Sequence, residues 1–434
     1  MLKDWIEVEL GDVCDVVSGK NQKNVENPNG KYPIYGSGGI FGYADDYLCE
    51  AGTTVIGRKG TINSPIYVNQ KFWNVDTAFG ISTLNNIDSK YIHYLCVGFD
   101  FKKLDKSTTI PSLAKRDIVK IKFPLAPLPE QRAIAAKIEQ LFSELDNGIA
   151  NLKTAKSKLE IYRQAILKQA FEGNLTKDWR KKQPKNHGNH VNQKNHSADN
   201  LPETWKWVKL GDICTKITDG THHTPKYIID GVPFISVKDV RNYKINFSNT
   251  KFISKEEHNE LIKRCFPEEG DILITKSGTI GRLAIVPNIE FSLFVSVALL
   301  KIQQDKIDSK YCLYNIQNHV NHLDIDKQIK GGLLKNYHLE DLRKAEIPFT
   351  ESKQEQTQIV QEIETRLSVC DKLNEAIEQS LEKAQALRQS ILKKAFEGKL
   401  LSQDELQTCR QQPDWEPAAK LLGKVKKDSK TKKS

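Results

Sequence analysis

Apolar residues return every seventh position along two stretches of this chain. In the first, Ile134 and Leu141 open a row that continues at 155 and 162, and Ile138, Leu145, Leu152, Leu159 and Ile166 form a second row. In the other stretch, Ile359, Leu373 and Leu387 make one row, and Ile363, Cys370, Ile377, Ala384 and Ile391 the other. A period near 3.5 predicts two long amphipathic helices of coiled-coil type. Pro129 suits a first helical turn, Ser352-Lys-Gln-Glu355 has capping-box spacing, and Gly173 and Gly398 are left-handed stops. Each helix would be roughly 66 Å long at ~1.5 Å per residue. A stripe of that length needs cover, and the economical arrangement packs the two helices on each other. Packing of each helix on its own globular part is the alternative, and Asp146-Asn-Gly148 offers a place for a bend.

Ahead of each helix the pattern changes. Short β-branched runs such as Thr53-Thr-Val-Ile56 and Asp271-Ile-Leu-Ile-Thr275 stand between glycines, as strands and turns of a mixed α/β (α+β) domain do. The two halves are copies. Trp5-Ile-Glu-Val-Glu-Leu-Gly-Asp-Val-Cys14 returns as Trp205-Lys-Trp-Val-Lys-Leu-Gly-Asp-Ile-Cys214, Lys59-Gly-Thr-Ile62 as Ser277-Gly-Thr-Ile280, and Ile87-Asp-Ser-Lys-Tyr91 as Ile307-Asp-Ser-Lys-Tyr311. Residues 130–175 align without a gap to 355–400, with 18 of 46 positions identical. Such self-similarity makes the chain an internal repeat. Its expected parts are a globular domain at 1–128, a helix at 129–175, a linker at 176–203, a second domain at 204–350, a second helix at 351–400 and a tail at 401–434.

The 434 residues carry a net charge of +10, which invites a nucleic-acid reading. Residues 420–434 contribute +6 and residues 176–200 contribute +4, so the remainder is neutral. The basicity therefore belongs to two segments expected to be flexible, and bulk charge says little about the folded parts. No apolar run approaches ~18 residues and the start lacks a signal-peptide stretch, so the expectation is a cytoplasmic protein with no membrane part. Eight cysteines form no CxxC pair, and His187, His190 and His196 lie in the linker with no Cys or carboxylate framework. No metal site is expected. A P-loop, an Asn-Pro-Pro-aromatic or Asp-Pro-Pro-Tyr methyltransferase tetrapeptide, a nuclease core and a GxSxG nucleophile are likewise missing. The chain reads as non-catalytic, with no catalytic residue and no cofactor of its own.

Polar, basic, Gly-containing turns recur in both domains. The first offers Lys20 and Lys23, then Arg58, Lys59 and Thr61, then Lys106 and Thr108. The second offers Thr221, His222 and His223, then Lys276, Ser277, Thr279 and Arg282, then Lys330 and Lys335. Backbone amides and hydroxyls at such turns suit phosphate oxygens, while Arg, Lys and His reach base edges. Each turn taken alone is also a solvated loop, and the repeated Gly-Thr-Ile also suits a tight turn.

These features together resemble the specificity subunit of type I restriction-modification enzymes. The resemblance rests on the Trp-x-x-x-x-Leu-Gly-Asp start, Pro-Leu-Pro-Glu-Gln131 and Glu-Gln356 at the helix beginnings, Phe-Glu-Gly at their ends, and Asp219-Gly-Thr-His-His-Thr-Pro225. It covers 5–175 and 205–400, and departs from the first copy at Pro348-Phe-Thr-Glu-Ser-Lys353. It implies two target-recognition domains related by a pseudo-twofold, each reading one half of a split double-stranded DNA target, with the helices paired as an antiparallel coiled coil. Ile134, Ile138, Leu141, Leu145, Leu152, Leu159 and Ile166 would then face Ile359, Ile363, Ile377 and Ile391. It also implies two modification subunits that methylate adenine with S-adenosylmethionine, and two restriction subunits that use ATP and Mg²⁺. The rival readings are a coiled-coil scaffold without DNA specificity and a single-chain methyltransferase-nuclease.

Overall fold

The computed structural model describes residues 2–183, 201–323 and 336–431, apart from the side chains of 429–431. They form two compact units, Met1–Lys153 with Glu378–Ser434, and Thr154–Ile377. Lys330 and Lys335, and the linker histidines 187, 190 and 196, lie outside the described residues.

The first unit contains β1 (Ile6–Glu9), β2 (Cys14–Ser18), β3 (Tyr32–Gly36), β4 (Gly39–Ala44), β5 (Thr53–Gly57), β6 (Ile66–Val68), β7 (Trp73–Asn74), β8 (Ala78–Thr83) and β9 (Lys122–Leu125). An antiparallel sheet of order β2-β8-β5-β6 forms its core. The run 53–56 falls in β5, buried along its whole length, as a Gly-bounded apolar run without alternation should be. A second sheet runs β4-β3-β7, with β3 and β7 parallel, and β1 pairs with β9.

The second unit repeats this plan with β10 (Trp205–Lys209), β11 (Cys214–Asp219), β12 (Val232–Ile235), β13 (Val240–Arg241), β14 (Lys244–Ile245), β15 (Lys251–Ile253), β16 (Ile272–Thr275), β17 (Leu283–Ile285), β18 (Ser292–Leu293), β19 (Val297–Ile302) and β20 (Glu346–Thr350). The sheets are β11-β19-β16-β17, β15-β12-β18 and the β10-β20 ribbon, with β13-β14 as an added hairpin.

The long helices span Leu128–Phe171 and Lys353–Phe396, 44 residues each. Gly173 and Gly398 end them with φ of +78° and +72°, the left-handed region that glycine adopts without a Cβ clash. The helix is not interrupted at 146–148: it runs through. In the first unit Asp146 pairs with Arg388, whose guanidinium lies 4.6 Å from the Phe142 ring centroid. In the second unit Arg163 pairs with Asp371 at 2.6 Å. Each acid and each arginine is 225 residues from its counterpart, so one contact is the repeat of the other. Both join an early segment of one helix to a late segment of the other, which makes the pairing antiparallel.

Burial refines the two-row seam. Ile138, Leu159, Ile166, Ile363, Cys370, Ala384 and Ile391 are buried, with Leu145, Leu152 and Ile377 half-buried. In the other row Ile134 and Ile359 are buried and Leu141 is half-buried, but Tyr162, Leu373 and Leu387 are about half exposed. A two-helix contact covers a narrow stripe, so one row is continuous and the other closes only near the helix starts.

Sheet-bearing cores claim the helix ends. Ile134, Ile138 and Phe142 pack in the first unit's core together with Ile391, Leu392 and Ala395. Ile359, Val360 and Ile363 pack in the second with Ile166, Leu167, Ala170 and Phe171. Each core thus takes the start of one helix and the end of the other, so packing on the globular part and pairing with the partner helix both occur.

Repeated motifs build the junctions. Buried Gln131 donates to Ala126 O (2.7 Å) and accepts from Asp88 N (2.9 Å); Gln356 donates to Thr350 O (2.8 Å) and accepts from Asp308 N (2.8 Å). Asp88 and Asp308 cap the helices Ser89–Gly98 and Ser309–Asn321 by accepting from Tyr91 and Tyr311 N–H. The phenols of those tyrosines donate to Pro124 O and Pro348 O. The Trp5 and Trp205 indoles donate to Glu130 (2.7 Å) and Glu355 (3.0 Å).

The described parts of the basic segments are helical. The C-terminal stretch forms helices Gln403–Arg410 and Ala418–Thr431, burying Leu406, Cys409, Ala418, Leu421 and Val425 in the first core. Ala418, Leu421 and Val425, spaced three and four apart, give the Lys-rich tail a narrow apolar stripe that net charge hides. After the first long helix, Lys177–Lys182 is helical and Arg180 pairs with Glu355 at 2.6 Å.

Candidate nucleic-acid interface

In the first unit, two turns that carry sequence-selected residues are joined by the backbone. Lys59 bridges Ser112, Gly60 N–H donates to Pro111 O (3.0 Å), and Leu113 N–H donates to Arg58 O (2.8 Å). Arg58 and Lys106 consequently line one cleft of about 660 Å³, with Ser18, Lys115, Arg116 and Asp117. Asp117 lies 3.4 Å from Lys106 and 4.0 Å from Arg116. Lys59, Thr61 and Thr108 are exposed on the neighbouring turns. Lys20 and Lys23 are exposed on the loop after β2 and do not line the cleft; Lys20 O accepts from Trp73 Nε1 at 3.0 Å. Gly60 has φ +80° and Gly278 φ +74°, so the Gly-Thr-Ile repeat is a left-handed tight turn in both domains. Its threonines ride on that turn.

The second unit repeats the joint. Ser277 bridges Asn336, and Tyr337 N–H donates to Lys276 O at 2.7 Å. Here the cationic side chain points inward. Lys276 is 6% exposed and lies 3.2 Å from buried Asp219, which also accepts from Arg264 and lies 3.3 Å from His222 Nε2. Thr221 is buried with its hydroxyl 2.8 Å from His223 Nδ1, and His223 lies 3.9 Å from Glu257. The adjacent histidines therefore face different partners. Ser277 and Arg282 are half-buried, Arg282 N–H donates to Thr275 Oγ1 (2.9 Å), and Thr279 is exposed. Arg264, Lys115 and Arg116 escaped the sequence reading, because no repeat or motif marks them and only the fold brings them to these loops.

All eight cysteines are buried and unpaired, and burial pushes Cys49, Cys96, Cys214 and Cys265 up to about 12, far from thiolate formation. Among the described residues no group of three His, Cys, Asp or Glu side chains is placed to hold a metal ion. None of the described helices is long and apolar enough to cross a membrane. In the first unit, exposed cations and hydroxyls on paired, Gly-bounded turns suit a polyanion read along its length more than a small substrate.

Comparison with known proteins agrees. Residues 2–154 and 202–383 match the family described as type I restriction modification DNA specificity domain. The specificity subunit of the type I restriction enzyme EcoBI from Escherichia coli is 25% identical over 453 residues, covering 97% of this chain and 92% of that protein. The EcoDI specificity subunit, also from Escherichia coli, is 24% identical and covers 98% and 95%. The MjaVIII specificity subunit of Methanocaldococcus jannaschii is 22% identical over 76% of this chain and 78% of its own. Among solved structures, a chain from a study of complex assembly and conformational transition of the type I R-M system superposes with TM-score 0.69 at 19% identity, covering 92% of this chain and 99% of the other. The HsdS subunit from Thermoanaerobacter tengcongensis gives TM-score 0.54 at 19% identity, covering 92% and 98%. At that identity the structures speak for the fold; the two family matches, one on each copy of the repeat, decide the rest. The chain belongs to the type I restriction-modification DNA specificity family, as a non-catalytic targeting subunit.

Proposed function

We propose that each globular domain reads one half of a split double-stranded DNA target, the first through the 57–61 and 105–113 loops and the second through the 219–225 and 276–282 loops. The observation that carries this reading is the duplication of the joined loops: Lys59 with Ser112 in one domain, Ser277 with Asn336 in the other. Two readers of one design on one chain suit a target with two short specified segments and an unread gap. DNA footprinting with the assembled methyltransferase tests it: two protected segments are expected, and one continuous segment would contradict it.

Two modification subunits holding S-adenosylmethionine and two restriction subunits using ATP and Mg²⁺ are the proposed partners, in the cytoplasm. This chain contributes sequence choice and no cofactor. In the second unit the exposed helix flank at Tyr162 and Leu373 supplies apolar surface for subunit docking. Native mass spectrometry of the co-expressed proteins is expected to give two modification subunits per chain. A scaffold without DNA specificity and a self-sufficient methyltransferase-nuclease are set aside by family membership.

A further inference from the structure

The two domains differ at one matched pair of positions, and we propose that this difference gives them unlike modes of DNA contact. In the first, Arg58 has no ion-pair partner among the described residues and takes a backbone phosphate in an open cleft. In the second, its counterpart Lys276 is a positioning residue, neutralised by Asp219. The proposal rests on the reading of this chain as a DNA-specificity subunit.

Hydrogen bonds establish the match. Arg58 N–H donates to Thr77 O (2.8 Å) and its carbonyl accepts from Leu113 N–H; Lys276 N–H donates to Ser296 O (2.9 Å) and its carbonyl accepts from Tyr337 N–H. The second position follows from Gly19 and Gly220, whose N–H groups donate to Ala78 O and Val297 O. At both glycines a Cβ would run into opposing backbone, 1.8 Å from Val75 O and 2.0 Å from Leu293 O. The residues just before them, Ser18 opposite Phe79 and Asp219 opposite Ala298, therefore occupy one place in the two folds.

Asp219 is 3% exposed and gathers Lys276, Arg264 and His222, so the 219–223 loop and the loop of Lys276 are tied by a buried charge pair. A buried ion pair of this kind fixes geometry more than it adds stability. Ser18 brings no charge. Arg58 is left with a 3.4 Å hydrogen bond to Asp76 O and the Phe79 ring, 5.6 Å from its guanidinium, and among the described residues no carboxylate forms an ion pair with it. Its cleft also carries Lys106, Lys115 and Arg116 against the single carboxylate of Asp117. A half-buried arginine oriented by a ring, in a cleft with an excess of positive charge, suits a phosphate diester.

The test uses the chain in complex with its modification subunits, with affinity for target DNA measured against KCl concentration. Arg58→Ala is expected to weaken binding about tenfold, reduce the slope of log K against log salt by about 1, and leave the sequence preference unchanged. Arg58→Lys should keep the slope. Ser18→Asp, at an exposed position, supplies the carboxylate that the second domain has; it should mimic Arg58→Ala, with most of its effect gone in the Arg58→Ala background. Lys276→Met should leave the slope alone and relax discrimination in one half-site, with Lys276→Arg restoring it. Thermal unfolding of each complex checks folding. Unchanged affinity and slope in Arg58→Ala, a change confined to one base position, or an equal slope change in Lys276→Met would overturn the proposal. If the unaltered complex has no sequence preference, the DNA-specificity reading itself fails, a separate outcome.

Discussion

The two junction glutamates, repeats of each other, are held by different partners, and the difference has a measurable consequence. Glu355 is buried and accepts from Trp205 Nε1 (3.0 Å), Thr176 Oγ1 (3.0 Å) and Thr350 Oγ1 (3.2 Å), while pairing with Arg180 at 2.6 Å. Glu130 is equally buried but accepts from two neutral indoles, Trp5 Nε1 at 2.7 Å and Trp415 Nε1 at 3.3 Å. Glu→Gln keeps the shape at both sites, removes the charge and turns one acceptor into a donor. At 355 this strands an arginine whose side chain is 21% exposed. Breaking a buried pair costs about 3–5 kcal/mol, and partial exposure places this one at the lower end, ~3 kcal/mol. At 130 the loss is a charge-assisted hydrogen bond, ~1–2 kcal/mol. Hydrogen exchange resolves the units separately: amides of the β10–β20 ribbon in Glu355→Gln should exchange roughly a hundredfold faster, and those of β1–β9 in Glu130→Gln about tenfold faster. Equal effects, a reversed order, or a loss below ~1 kcal/mol at 355 would refute the reasoning.

Burial lowers the His93 imidazole to about 4, below the ordinary value of 6.5. The unfolded chain then takes up the proton first, so this contribution is intact above pH 6.5 and is lost as pH falls toward 4; His93→Gln should flatten the pH dependence of the unfolding midpoint there. On the helices, Ile363→Ala should cost about 2–5 kcal/mol, whereas Leu373→Lys should stay within about 0.5 kcal/mol; denaturant titration of the two separates the covered row from the open flank. Inserting one heptad in both helices, between Leu145 and Leu159 and between Cys370 and Ala384, keeps the pattern and should widen the unread DNA gap by roughly 10 Å, near three base pairs. Methylation mapping of a viable double insertion reads that gap, and an unchanged gap would mean that the helices do not set it.

The helices and the duplication were legible in the sequence because a seven-residue period and a gapless 46-residue match survive without any structure. The strands at 53–56 and 272–275 were equally plain, since buried Gly-bounded runs have few other uses. Less visible was the purpose of the repeats. Trp5, Asp88, Tyr91, Glu130 and Gln131 recur because they lock a domain onto its helix, a job distributed over more than a hundred residues. Only the density of apolar positions at Ile166, Leu167, Ala170 and Phe171, beyond heptad spacing, hinted that a helix end enters a sheet-bearing core. Arg58 and Lys276 share a backbone position, yet their side chains meet different surroundings. The deciding Ser18/Asp219 exchange is offset by one residue from the 200-residue repeat, where β11 carries an irregularity between Cys214 and Lys216. Spacing alone could not align them.

Genome-wide mapping of methylated adenines, in cells that express this chain with its modification subunits and in cells that lack only this chain, tests the two-reader design most directly. The expected result is one bipartite motif, two short specified segments around a gap of constant length, that disappears when this chain is absent. A single continuous motif, or the same methylation without this chain, would contradict it.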